Sequence, residues 1–146
     1  MLPKKIAIMD LVFENSYRKI YFEQAAQLIY VDWTPETAKM SVKDWENEML
    51  ITLKITDQYR PSHFLLDQTN LFFALTPQLL HWTAEQLNKK WIEIGVKKVS
   101  VLLSQELMAK IPMKLMADDT KELHIPNQFY IRYFTNLEKA KAWILL

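Results

Sequence analysis

The sequence predicts one α/β domain, built on a mixed sheet of four to five strands with helices mainly on one face. Short segments with alternating apolar residues lie between longer segments in which apolar residues recur every three or four positions. The chain has 146 residues, of which 50% are hydrophobic, and this suits a single core. We expect the domain to span residues 1–146, with 1–12 as an edge strand or arm.

Two strands joined by a tight connection open the domain. Ile20 and Phe22 share one face of the first strand, while Ile29, Val31 and Trp33 share one face of the second. Alternation with a period of two is typical of half-buried strands, and the short link at 23–26 predicts an antiparallel hairpin.

The first long helix begins after Ser41. Ser41 and Asp44 have the spacing of a capping box, in which side chains satisfy free backbone N–H groups. Apolar residues then recur at helical spacing to about residue 57: Val42, Trp45, Met49 and Leu53. A short buried strand, 64–66, follows the Pro61 break.

The second long helix has the clearest pattern in the chain. Thr76 is a good N-cap, Pro77 suits the first helical position, and Gly95 suits the C-cap. The residues expected to face the core form one stripe: Leu80, Ala84, Leu87, Trp91 and Ile94.

The rest of the chain alternates between strands and helices. We expect a central strand over 96–103, short helices over 105–110 and 113–122, and a strand from Asn127. Thr135 and Glu138 form a second capping box, which opens the last helix. Strands that alternate with helices predict crossover connections and parallel pairing.

Composition excludes several classes of protein. A net charge of +1 does not favour a nucleic-acid partner, and the absence of Cys excludes disulfides and thiolate metal sites. The single glycine, Gly95, excludes glycine-rich phosphate loops. Neither a signal peptide nor an apolar run of about 20 residues is present, so we expect a cytoplasmic protein without a membrane-spanning segment.

Metal and acid–base chemistry have weak support. His63, His81 and His124 stand far apart without metal-ligand spacing, so we expect structural roles for them, no metal and no cofactor. Asp32 and Asp67 each lie near the end of a predicted strand and could form a carboxylate pair. This pair is the basis of a third hypothesis, a hydrolytic enzyme.

The better candidate site is the loop between the 64–66 strand and the second helix. Ligands of open α/β sheets bind beyond the carboxyl ends of strands, and a helix N-terminus favours an anion. Asp67, Thr69, Asn70 and Thr76 supply polar groups there. The alternative is local: Asp67 and Asn70 satisfy turn backbone groups and Thr76 only caps the helix.

Five segments also carry a resemblance to a known family: Phe64-Leu65-Leu66-Asp67, Thr76-Pro77, Ile94-Gly95-Val96-Lys97-Lys98-Val99, Tyr130-Ile131-Arg132-Tyr133-Phe134, and Leu137-Glu138-Lys139-Ala140 with Trp143. From about Phe13 onward, the chain resembles small bacterial STAS-like proteins, which are related in fold to anti-sigma-factor antagonists and CRAL-TRIO domains. The resemblance implies a STAS-like mixed sheet and no enzymatic activity.

The resemblance also implies where a regulatory switch would lie. In antagonists, a serine at the start of the helix after the central strand is phosphorylated, and the Asp-Ser-Ser-Gly motif would fall at Leu75-Thr76-Pro77-Gln78. That motif is absent here. Only Thr76 keeps a hydroxyl, which makes it the candidate phosphoacceptor.

Three functions are therefore expected, in order. The first is a non-enzymatic regulatory or binding domain that contacts an unknown protein partner, or a second copy of itself, through residues 67–80. The second is a carrier of a small lipophilic ligand, suggested by the CRAL-TRIO relationship and by aromatic and Met residues that could line a pocket. Such a carrier requires an apolar cavity of about 300 Å³ or more. The third is the hydrolytic enzyme using Asp32 and Asp67.

Overall fold

A computed structural model describes residues 9–109, 123–125 and 129–146, with the backbone alone for 123–125. The strands are β1 (Asp10–Glu14), β2 (Arg18–Glu23), β3 (Leu28–Trp33), β4 (His63–Asp67), β5 (Lys98–Leu102), β6 (Leu123–Ile125) and β7 (Phe129–Phe134). The helices are α1 (Val42–Tyr59), α2 (Pro77–Ile94), α3 (Gln105–Met108) and α4 (Leu137–Ile144), with a 3-10 helix at Pro35–Lys39.

All described strands form one mixed sheet in the order β1-β2-β3-β4-β5-β7-β6. Pairing is antiparallel from β1 to β3, parallel through β4, β5 and β7, and antiparallel again at β6. The predicted mixed α/β sheet with an N-terminal hairpin is confirmed. The predicted strand count was too low, because the sheet has seven strands. The two edges, β1 and the three-residue β6, account for the difference.

The two faces of the sheet carry different helices. The α1/α2 face packs Ile20, Val31 and Phe64 against residues of both long helices. The α4 face packs Leu28, Leu65, Leu102 and Phe134 against Ala140, Trp143 and Ile144. Helices thus lie mainly on one face, as predicted, and α4 alone covers the other.

Most helix ends follow the local sequence signals. The Ser41–Asp44 capping box is present, Thr76 Oγ1 accepts a hydrogen bond from the Leu79 N–H (3.2 Å), and Gly95 ends α2 with φ +81°. One predicted cap was wrong, because Asn136 rather than Thr135 caps α4 by accepting from the Lys139 N–H (3.0 Å). Asn is at least as good an N-cap as Thr, and it immediately precedes the first helical residue.

Some predicted boundaries and faces also differ from the structure. The short helix α3 ends at Met108 rather than at 110, and the predicted helix 113–122 and the start of a strand at Asn127 lie outside the described residues. Val42, expected inward, is exposed because it is the first residue of α1. In α2, the buried residues are Leu79, Thr83 and Trp91, whereas Leu80 and Ala84 are exposed.

Candidate functional site

A cavity of about 230 Å³ lies between the α1/α2 face of the sheet and the two helices above it. Its walls are mostly aromatic and aliphatic and include Trp33, Trp45, Met49, Leu87, Trp91 and Val101. A second cavity of about 260 Å³ adjoins it and shares Gln68, Leu75 and Tyr133. Ligand sites in proteins are typically concave and mostly apolar, so this apolar cavity is the main candidate binding site.

The cavity accounts for the unexpected exposure on α2. Leu80, Ala84, Leu87 and Trp91, which belong to the stripe predicted to pack on the core, all line the cavity. Leu80 is 54% exposed, so the cavity reaches the surface beside the first half of α2. The apolar stripe of α2 thus borders the cavity as well as the core.

Two tryptophans hold α2 above the sheet. Trp45 of α1 stacks on Trp33 of β3 at 5.4 Å between ring centroids, and its Nε1–H donates to Thr83 Oγ1 of α2 at 2.8 Å. Trp91 of α2 packs on Phe64 at 5.0 Å. The indole N–H of Trp91 is buried and has no acceptor within the described residues.

The segment 68–76 contributes Gln68 and Leu75 to the lining of the cavity. Residues 71, 73 and 75 are half-buried and alternate with exposed neighbours, as in a strand. Phe73 stacks on Trp45 at 5.5 Å. The buried Thr37 hydroxyl holds the segment, since it accepts from the Phe72 N–H (2.9 Å). Its single proton lies between the Thr34 carbonyl (2.8 Å) and the Asn70 carbonyl (3.1 Å).

Among the described residues, Arg18 is the one charged side chain that lines the 230 Å³ cavity. It is 1% exposed, and its Nε lies 2.7 Å from Oε1 of Glu48, a contact that is an ion pair rather than an aligned hydrogen bond. Its Nη1 donates to Thr52 Oγ1 (2.6 Å), its Nη2 donates to the Glu48 carbonyl, and its guanidinium lies over the Trp33 ring at 4.7 Å. Asn15 donates to the other Glu48 oxygen (2.9 Å).

Burial changes the pKa of ionisable groups at the cavity. Desolvation lowers the pKa of Arg18 to about 10, and the nearby Glu48 carboxylate limits that fall. Arg18 therefore stays charged at neutral pH. Desolvation also raises the pKa of Tyr133, so its hydroxyl remains a neutral donor and acceptor.

Three of the residues predicted as a polar site have separate hydrogen-bond partners: Asp67, Asn70 and Thr76. Asp67 Oδ1 accepts from the Thr69 N–H (3.1 Å), the Asn70 carbonyl accepts from Thr37, and Thr76 Oγ1 caps α2. These contacts agree with the local alternative for Asp67 and Thr76. Binding through Asp67, Thr69, Asn70 and Thr76, and modification of Thr76, stay predictions.

Asp32 and Asp67 lie side by side on the α4 face, opposite the cavity. Their strands pair in parallel with these two residues in register, so both side chains point to the same face. Tyr30 Oη donates to Asp67 Oδ2 at 3.2 Å. Desolvation raises the pKa of Asp32, repulsion from Asp67 adds to the rise, and Lys19 opposes it. Asp32 can therefore bind a proton more readily than an isolated carboxylate.

The described histidines have structural contacts. His63 Nδ1 lies 2.9 Å from the Ala26 carbonyl, and His81 is an exposed partner of Glu85. Side-chain contacts of His124 lie outside the described residues. Within the described ranges, no group of three or more His, Asp or Glu residues can hold a metal ion, and no helix is long and apolar enough to cross a membrane.

Sequence reasoning missed Arg18 and Glu48. The sequence contained a signal for each of them. Arg18 lies with Ile20 and Phe22 on the inward face of β2, and Glu48 lies at helical spacing between the inward residues Trp45 and Thr52 of α1. Opposite charges at two inward positions predict a buried ion pair.

Comparisons with protein-family models, with curated proteins and with solved structures find no match to this chain. The STAS-like resemblance therefore stays a prediction.

Proposed function

We propose that this protein binds a small, mostly apolar molecule in the cavity between α1, α2 and the sheet. The observation that carries the proposal is the apolar cavity of about 230 Å³, which opens to the surface beside α2. Burial of apolar ligand surface in such a cavity is favourable by roughly 25 cal/mol per Å².

Size separates this proposal from transport of a long-chain lipid. The cavity lies below the roughly 300 Å³ required for a drug-sized ligand, yet above an engineered cavity of about 150 Å³ that binds benzene. The adjoining cavity of about 260 Å³ shares the lining residues Gln68, Leu75 and Tyr133, and the proposal concerns the 230 Å³ cavity alone. The ligand that fits is therefore the size of one or two rings.

Methionine-methyl NMR tests this proposal directly. Met49 lines the cavity, whereas Met40 is buried in the same core without lining it. Titration with indole is expected to give a saturable shift of the Met49 methyl and little change at Met40.

Two variants locate the binding. Ala84→Trp places a large ring at the cavity mouth and is expected to weaken indole binding at least about tenfold. Ala142→Trp adds the same ring to an exposed position of α4 and should leave binding unchanged. Absence of a saturable Met49 shift, or equal affinity of wild type and Ala84→Trp, would contradict the proposal.

A protein partner at residues 67–80 is the second candidate, favoured by two exposed apolar side chains. Phe72 is 55% exposed and Leu80 is 54% exposed. If a partner binds there, Phe72→Ser should abolish its recovery in a pull-down, while Leu50→Ser, at a similarly exposed site on α1, should not. Equal recovery with both variants would place the partner elsewhere.

A further inference from the structure

The charge at the cavity wall is already balanced. Arg18 is the one cation among the described lining residues, and Glu48, which does not line the cavity, neutralises it at 2.7 Å. The two side chains are almost fully buried, so water does not screen this pair from the cavity. A ligand in the cavity therefore meets a pair with no net charge.

The guanidinium still has hydrogen-bonding capacity. Each terminal nitrogen carries a second N–H besides the one bonded to Thr52 or to the Glu48 carbonyl. Within the part of the chain that the structure describes, one acceptor is seen for each terminal nitrogen. Buried donors without acceptors are unfavourable, and a ligand acceptor would satisfy them.

From these two observations we propose that the cavity selects a neutral ring-sized ligand that carries a hydrogen-bond acceptor, such as an amide, ketone or ester, and rejects the corresponding carboxylate. The inference rests on the proposed function and specifies its ligand class. A neutral carbonyl would accept hydrogen bonds from the guanidinium N–H groups without adding charge to the site. A carboxylate would add an unbalanced negative charge beside Glu48 in an apolar site, which is strongly unfavourable.

Other polar groups at the cavity can assist a neutral ligand. Gln68, Asn88 and Tyr133 line it, and no hydrogen bond from their side chains is described. An amide or a hydroxyl can both donate and accept, so these groups suit a neutral polar function of either kind. None of them supplies the positive charge that a carboxylate needs.

Three probes of similar size separate the possibilities: benzene, benzamide and benzoate. Affinity is measured from the Met49 methyl shift with the full chain. Benzamide is expected to bind at least about tenfold more tightly than benzene, and benzoate at least about tenfold more weakly than benzamide. Benzene binding alone tests the cavity, whereas the other two test its polarity.

Glu48→Gln tests the role of the balancing charge. Without the carboxylate, Arg18 presents a net positive charge, so benzoate affinity should rise about tenfold or more while benzamide affinity changes little. Glu46→Gln removes the same charge from a neighbouring position of α1 and should leave the benzamide preference unchanged. If Glu48→Gln does not fold, the double variant Arg18→Met/Glu48→Met should fold and lose the preference of benzamide over benzene.

Each outcome bears on a different claim. If none of the three probes binds, the proposed function fails. If benzene and benzamide bind the wild type equally, or benzoate binds as tightly as benzamide, the cavity still binds ligands but this inference is overturned. Equal effects of Glu48→Gln and Glu46→Gln would also overturn it, because net charge alone would then explain the change.

Discussion

Helices α2 and α4 have similar sequence patterns but pack in different environments. Both are amphipathic, and a polar side chain caps the N-terminus of each. The apolar residues of α4 are buried against the sheet, with Ala140 fully inaccessible. Those of α2 line a cavity, with Leu80 half-exposed. An apolar helix stripe can thus indicate a binding site as well as a core.

The size of the contact residues explains the difference. The small Ala140 lets α4 approach the sheet so closely that Ser100 Oγ of β5 donates to the Ala140 carbonyl at 3.0 Å. On the other face, the large rings of Trp45 and Trp91 lie between α2 and the strands. Large side chains at two separated points keep the layers apart, and the cavity lies between them.

Truncating one apolar residue on each helix should give the largest contrast. Trp143→Ala on α4 is expected to lower the free energy of unfolding by about 3–5 kcal/mol, because Trp143 is buried against Phe134. Leu80→Ala on α2 should lower it by less than about 1 kcal/mol, because little packing is lost. Urea denaturation measures both values, and similar losses would show that the two stripes are packed alike.

Enlarging one alanine on each helix should give changes of opposite sign. Ala140→Leu is expected to destabilise the fold by about 1–3 kcal/mol, since no space exists beside Ala140. Ala84→Leu should stabilise it by about 0.5–2 kcal/mol by filling part of the cavity. Chemical denaturation of each variant against wild type is the measurement. Destabilisation by Ala84→Leu would mean that the cavity cannot accept added volume.

The smallest effect is a pH dependence on the α4 face. The pKa of Asp32 is raised in the folded state, so the free energy of unfolding should fall as pH rises from the usual aspartate pKa, about 3.9, through the higher folded value. Asp32→Asn removes this fall and should be more stable than wild type at neutral pH, by less than about 1 kcal/mol because Asp32 is only half-buried.

Denaturation at neutral pH and below about pH 3.9 tests the sign. The two proteins should converge at the lower pH, where Asp32 is protonated in both states. Asp10→Asn, at an exposed position of β1, is the matched control and should not change the difference. A larger stability difference at low pH than at neutral pH would contradict the assignment to Asp32.

The sequence alone determined the local structure of this protein. Ser41 with Asp44, Thr76 with Pro77, and Gly95 place helix ends because caps and positive φ depend on a few neighbouring residues. Alternating apolar residues place β2, β3 and β7 for the same reason. The edge strands β1 and β6 were harder to predict. A strand that pairs on one side only does not need the full alternation of apolar and polar residues.

Only the tertiary structure decided where the candidate site lies. Parallel register brings Asp32 beside Asp67, and the approach of α1 to β2 brings Arg18 to Glu48, two pairs distant in sequence. The cavity depends on how far Trp45 and Trp91 hold α2 from the sheet, which no local pattern contains. Side-chain periodicity predicts which residues face inward. The distance between the packed layers decides whether these residues contact protein or line a cavity.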